Sequence, residues 1–114
     1  MKKEFLKTEK KRCEKLIIRS DWWSMGKKQI DFSCTIKEAL NFKGIKVSII
    51  ENPQHKGFYG YRFLIPLNSC FITYTVFDGN YENCAMNALV LFLTAMGDRA
   101  IIKTSNYSKE VNKR

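Results

Sequence analysis

Residues 80–96, NYENCAMNALVLFLTAM, have helical spacing and are apolar on nearly every side, so a helix built from them has to be covered by the rest of the chain. Asn80 can accept a hydrogen bond from the first free amides, Glu82 falls in the first turn where the dipole favours a carboxylate, and Gly97 follows as a left-handed stop. Tyr81, Ala85, Ala88, Leu89, Phe92 and Met96 recur at helical steps. Cys84, Leu91 and Ala95 widen that stripe, and Asn83, Asn87 and Thr94 mark a polar side. Such a helix must lie across a sheet or be shared with a second copy of itself. The apolar run over 88–96 is interrupted by Thr94 and falls well short of the roughly 20 residues that a bilayer needs.

The preceding segments supply strands. Over 28–36, Ile30, Phe32, Cys34 and Ile36 alternate with Gln29, Asp31, Ser33 and Thr35, which is the pattern of a strand with one wet face. A helical turn fits 37–42 before Gly44, a second strand fits 45–50, and Asn52-Pro53 breaks it into an exposed hairpin tip over 52–58. The third strand, 59–65, sets Tyr59, Tyr61, Phe63 and Ile65 on one face and Arg62 on the other, and 69–77 forms the fourth. A short last strand fits 100–103. Residues 3–19 have the spacing of a charged helix with a thin apolar stripe of Phe5, Leu6, Cys13, Leu16 and Ile17.

The expected fold class is therefore α+β: a four- or five-stranded antiparallel sheet packed by one long apolar C-terminal helix, with an N-terminal basic helix. It divides into a basic helix over 1–20, a single α+β domain over 21–104 and a flexible basic tail over 105–114. One sheet and one strongly apolar helix leave surface to cover, so a homodimer is expected.

Charge narrows the partner classes. The formal net charge is +9. Residues 1–20 hold eight Lys and Arg against three Glu, residues 99–114 hold five against Glu110, and the stretch between them is neutral. Cationic ends on a neutral body keep a small protein in solution, and they also attract phosphates, an anionic membrane surface or an acidic protein. Lys10, Lys11 and Arg12 form the densest basic cluster. Two adjacent tryptophans, Trp22 and Trp23, cannot both face one core on a strand, so one ring is expected at the surface or over a helix end.

Catalytic and metal chemistry find no foothold. Cys13, Cys34, Cys70 and Cys84 are widely spread, and His55 is the single histidine, so no zinc-site spacing exists. With no N-terminal apolar segment to direct secretion, the four cysteines are expected as reduced thiols in the cytoplasm, with Cys34, Cys70 and Cys84 as small core residues. No Gly-rich phosphate loop, HExxH run or paired acidic motif occurs. The expectation is a protein that is not an enzyme and has no cofactor.

For nucleic acid, Tyr59 beside His55 and Lys56, with Lys46 and Arg62 on neighbouring strands, offers rings for base stacking and cations for the backbone. Tyr61 and Arg62 must face opposite sides. The segment KVSIIENPQHKGFYGYRF, followed by CFITYTVF and the helix, resembles a repeat of the PUR-alpha and Whirly type of single-strand-binding domain over residues 28–97. That resemblance implies a four-stranded meander backed by one helix, pairing with another copy, and binding of single-stranded DNA or RNA. The order helix, three strands, helix over 36–97 also resembles a double-stranded-RNA-binding domain, with His55 near that family's first inter-strand loop. It departs at the start of the second helix, where Asn80, Tyr81, Glu82 and Asn83 stand in place of a lysine cluster.

A second class fits the same features. Small lysine-rich proteins without motifs are common among phage and mobile-element products that block host defence, anti-CRISPR inhibitors among them. These act by occupying a protein surface through an aromatic anchor, for which Trp22, Trp23, Phe58 and Tyr59 are the candidates, or by capturing a nucleotide signal.

Overall fold

The computed structural model describes residues 2–20, 28–77, 79–97 and 99–111. Along the chain come α1 (Lys2–Glu9), β1 (Arg12–Ser20), β2 (Lys28–Thr35), α2 (Ile36–Phe42), β3 (Lys46–Glu51), β4 (Tyr59–Pro66), β5 (Phe71–Val76), α3 (Tyr81–Met96), β6 (Arg99–Thr104) and β7 (Tyr107–Val111). The strands form two antiparallel sheets, a four-stranded one in the order β2-β1-β6-β7 and a three-stranded one in the order β3-β4-β5. The chain is α+β, and among the described residues no helix is long and apolar enough to cross a membrane.

Local chemistry sets the limits of α3. The Asn80 side chain accepts from the Asn83 amide, and Gly97 closes the helix at φ 77°, with its amide bonded to the carbonyls of Leu93 and Thr94. α3 packs against β4 on one side and against β6 and β7 on the other, with α1 and α2 at its flanks. That double covering explains why Tyr81, Cys84, Ala85, Met86, Ala88, Leu89 and Leu93 are all buried. Each large side chain so placed contributes about 1.5 to 3 kcal/mol relative to exposure. Phe63 and Ile65 meet the helix from β4, and Ala100, Ile102 and Val111 are buried in the four-stranded sheet.

The structure departs from the sequence expectation in four places. The expected helix over 3–19 stops at Glu9, and the chain re-enters as β1. The reason lies in Leu16-Ile17-Ile18, where β-branched side chains favour a strand over a helix with a thin apolar stripe. The segment expected as a loose tail is largely β7, whose Tyr107 is half-buried and whose Val111 is buried. β2 pairs with β1 and not with β3, so the meander has three strands, and the expected single sheet is two. Finally, α3 is followed by β6 and β7 and is therefore not C-terminal. The second sheet covers the helix from within one chain, which removes the reason given above for a homodimer.

Two neighbouring residues at the head of α3 tie these layers together. Tyr81 is fully buried and donates its hydroxyl to Oε1 of the buried Glu9 at 3.1 Å. Its ring sits 4.6 Å from that of Phe5, 5.0 Å from Tyr61 and 6.1 Å from Phe63. Glu82 accepts from Lys11 Nζ at 2.8 Å, from the Thr104 hydroxyl and from Asn106 Nδ2 at 3.4 Å. Burial pushes the Glu82 carboxyl up, but the three donors and the Lys11 charge outweigh it and hold the group below the usual carboxylate range.

A carboxylate whose pKa is lowered by folding contributes stability above its unfolded value, near 4.3, and loses it as the pH falls through the folded one. Glu82→Gln should cost about 1 to 3 kcal/mol at neutral pH, the lower figure applying if the partly exposed Lys11 is well solvated. Denaturant melts below about pH 5 should show a shallower acid loss for the variant than for the parent chain.

Candidate nucleic-acid interface

The β3-β4-β5 sheet has one covered and one open face, fixed by its register. β3 pairs with β4 through Lys46↔Leu64, Ser48↔Arg62 and Ile50↔Gly60, and β4 pairs with β5 through Arg62↔Thr75, Leu64↔Thr73 and Pro66↔Phe71. Opposed residues share a face, so Ser48, Arg62 and Thr75 form one row, Lys46, Leu64 and Thr73 the next, and Pro66 and Phe71 close the far end. The other face carries Tyr61, Phe63 and Ile65, buried against α3 and α1.

On the open face Lys46, Ser48, Arg62, Thr73 and Thr75 are exposed, and Phe71 is 62% exposed. Lys46 and Arg62 are diagonal neighbours, with Cα atoms roughly 7 to 8 Å apart. Tyr61, 3% exposed, belongs to the core. Its opposition to Arg62 is as the alternation requires.

The hairpin tip is rigidly bonded. The Asn52 amide donates to the Phe58 carbonyl at 2.8 Å, and its side chain accepts from the Gln54 amide at 2.9 Å. The amide of Gly57, a residue with φ 88°, donates to Glu51 Oε2 at 2.9 Å. His55 and Phe58 stand beside each other with ring centroids 6.0 Å apart. His55, Lys56, Phe58 and Tyr59 are all exposed, Phe58 to 64% and Tyr59 to 41%. By alternation Tyr59 lies on the side of Tyr61. The expected grouping of Tyr59 with Lys46 and Arg62 therefore splits across the two faces.

The remaining expected contacts fare differently. Lys10 is exposed in the turn after α1. Lys11 is engaged by Glu82, and Arg12 donates Nη2 to the Ser33 carbonyl at 2.7 Å, so this basic cluster is partly committed within the molecule. Trp22 and Trp23 lie outside the described residues. A hollow of about 430 Å³ beside the β3 edge is lined by Phe5, Glu9, Lys37 and Lys46 among others. Cys70 is exposed and not a core residue, whereas Cys13, directly opposite Cys34 in the β1–β2 ladder, is buried. Burial and then the facing thiol push the Cys13 pKa up to about 12.

Sequence reasoning missed Ser48, Phe71, Thr73 and Thr75. Ser48 reaches the face of Arg62 by direct pairing, and Phe71, Thr73 and Thr75 reach it through the β4–β5 register, which local spacing does not fix. No family model matches the chain, and no curated protein or solved structure matches it.

Gly60 sits in the open face with Phe77 folded close over it. A Cβ there would run into the Val76 carbonyl oxygen and stand 2.8 Å from Phe77 Cα. Gly60→Ala should destabilise the protein by about 1 to 3 kcal/mol through overpacking against backbone, checked by denaturant titration. Thiol labelling of the native protein should modify Cys70 fast and Cys13 only on unfolding.

Proposed function

We propose that this protein binds nucleic acid without catalysis, preferring single strands, and that the open face of β3-β4-β5 is the contact surface. The observation that carries this is the row arrangement of Arg62 and Lys46 among small hydroxyl residues, with exposed Phe71 at one end of the face. A sheet of this kind can track a phosphate backbone with its cations, hydrogen-bond through Ser48, Thr73 and Thr75, and stack an unpaired base on the ring. The preference for single strands rests on exposed Phe71, since stacking on its ring needs an unpaired base. His55, Lys56, Phe58 and Tyr59 at the tip extend the surface, and the net charge of +9 draws polyanions toward it.

The test is fluorescence anisotropy with a labelled single-stranded homopolymer across a salt series. Trimming the chain ends would remove α1 and β7 along with their charges, so point substitutions are the cleaner probe. Arg62→Gln should weaken binding and reduce the slope of log affinity against log salt by about 0.7. Phe71→Ala should cost about 1 to 3 kcal/mol of affinity with the slope unchanged. Parental affinity and slope in both variants would reject the face.

The rigid tip supports a second reading. Phe58 and Tyr59, exposed on a preorganised turn, have the form of an anchor for a protein partner, as an anti-defence inhibitor would need. A partner retained from cell extract after nuclease treatment, and lost on Phe58→Ala, would favour it over nucleic-acid binding.

A further inference from the structure

We propose that the free edge of β5 is a homodimer interface, where β5 of a second copy pairs antiparallel and joins the two three-stranded sheets into one. β5 is hydrogen-bonded to β4 on one side, and no described strand lies on the other. An open edge is a row of unsatisfied amides and carbonyls ready to accept a strand, and proteins usually blunt such edges with charge or proline. Charged residues stand on two other sheet edges: β3 carries Lys46 and Glu51, and β7 carries Lys109 and Glu110. β5, Phe-Ile-Thr-Tyr-Thr-Val, carries no charge, no proline and no glycine. In a chain with 27% charged residues, the whole segment 67–77 has none.

Side-chain exposure points the same way. Ile72 lies on the face that packs toward the core, yet it is 37% exposed, which leaves an apolar side chain at the open edge. The occupant is argued from charge. An uncharged strand rich in β-branched and aromatic residues opposes no like charges when it meets its own copy, and its Thr and aromatic side chains make favourable cross-strand pairs.

The symmetry is set by geometry. The operator that pairs a strand antiparallel with itself and keeps the sheet continuous is a two-fold axis perpendicular to the sheet. It preserves faces, so the Lys46 and Arg62 side chains of both copies lie on the same side. A register centred on Thr73 or Tyr74 makes Thr73 a direct or diagonal neighbour of its own copy.

Sedimentation velocity on the full chain over a concentration series tests this. The parent chain should show a reversible monomer–dimer equilibrium. Thr73→Lys and Thr73→Glu, at an exposed position, should each weaken the dimer about tenfold by setting like charges together. An equimolar mixture of the two variants should restore dimerisation, a recovery that misfolding cannot mimic. A parent chain that stays monomeric throughout overturns the proposal, even if the edge then accepts an extended peptide from another protein. So does a mixture no more dimeric than its components. Oligomeric state is measured without nucleic acid, so neither result depends on the binding function.

Discussion

Two adjacent residues at the start of α3, Tyr81 and Glu82, tie the layers of the architecture together. Tyr81 reaches Glu9 and the aromatic side chains of α1 and β4, while Glu82 reaches Lys11, Thr104 and Asn106. Both halves of the positive charge thus attach beside the helix start, and two positively charged segments that repel each other are held there by buried carboxylates. Removing one partner of such a contact leaves the other buried and unpaired, which is why these sites weigh more than exposed pairs elsewhere.

This anchoring changes what the charge can do. Ends that are folded into the body present their lysines from fixed positions, and Lys11 is engaged within the molecule. Among the described residues, exposed cations remain on α1, α2, β6, β7, the hairpin tip and the open sheet face. Of these, the sheet face has a defined spacing. Alternation sends Tyr61 and Phe63 inward to make the core and, by the same rule, sends Arg62 outward between Ser48 and Thr75. Core and candidate surface are two readouts of one strand.

How much of this was legible depended on the range of the interaction involved. The helix over 80–96, its Asn80 cap and Gly97 stop, the 59–65 strand and the 52–58 tip follow from local chemistry and stand in the structure at nearly those limits. The partition into two sheets did not follow, because β2 could pair with either neighbour and the choice rests on β1, a strand whose charges mask it as a helix. The same misreading hid the folded tail, since β7 has meaning only once β6 lies between it and β1. Arg62 and Lys46 could be placed on neighbouring strands from spacing alone. Phe71 and the threonines could not, because strand register across 67–70 is a tertiary fact.

Amide chemical-shift mapping during titration with single-stranded homopolymer tests the central claim, that the uncovered sheet face holds the polyanion. Perturbations should concentrate at Lys46, Ser48, Arg62, Phe71, Thr73 and Thr75, with a second group at His55 to Tyr59. Shifts confined to α1 and β7, or none in dilute buffer, would contradict it.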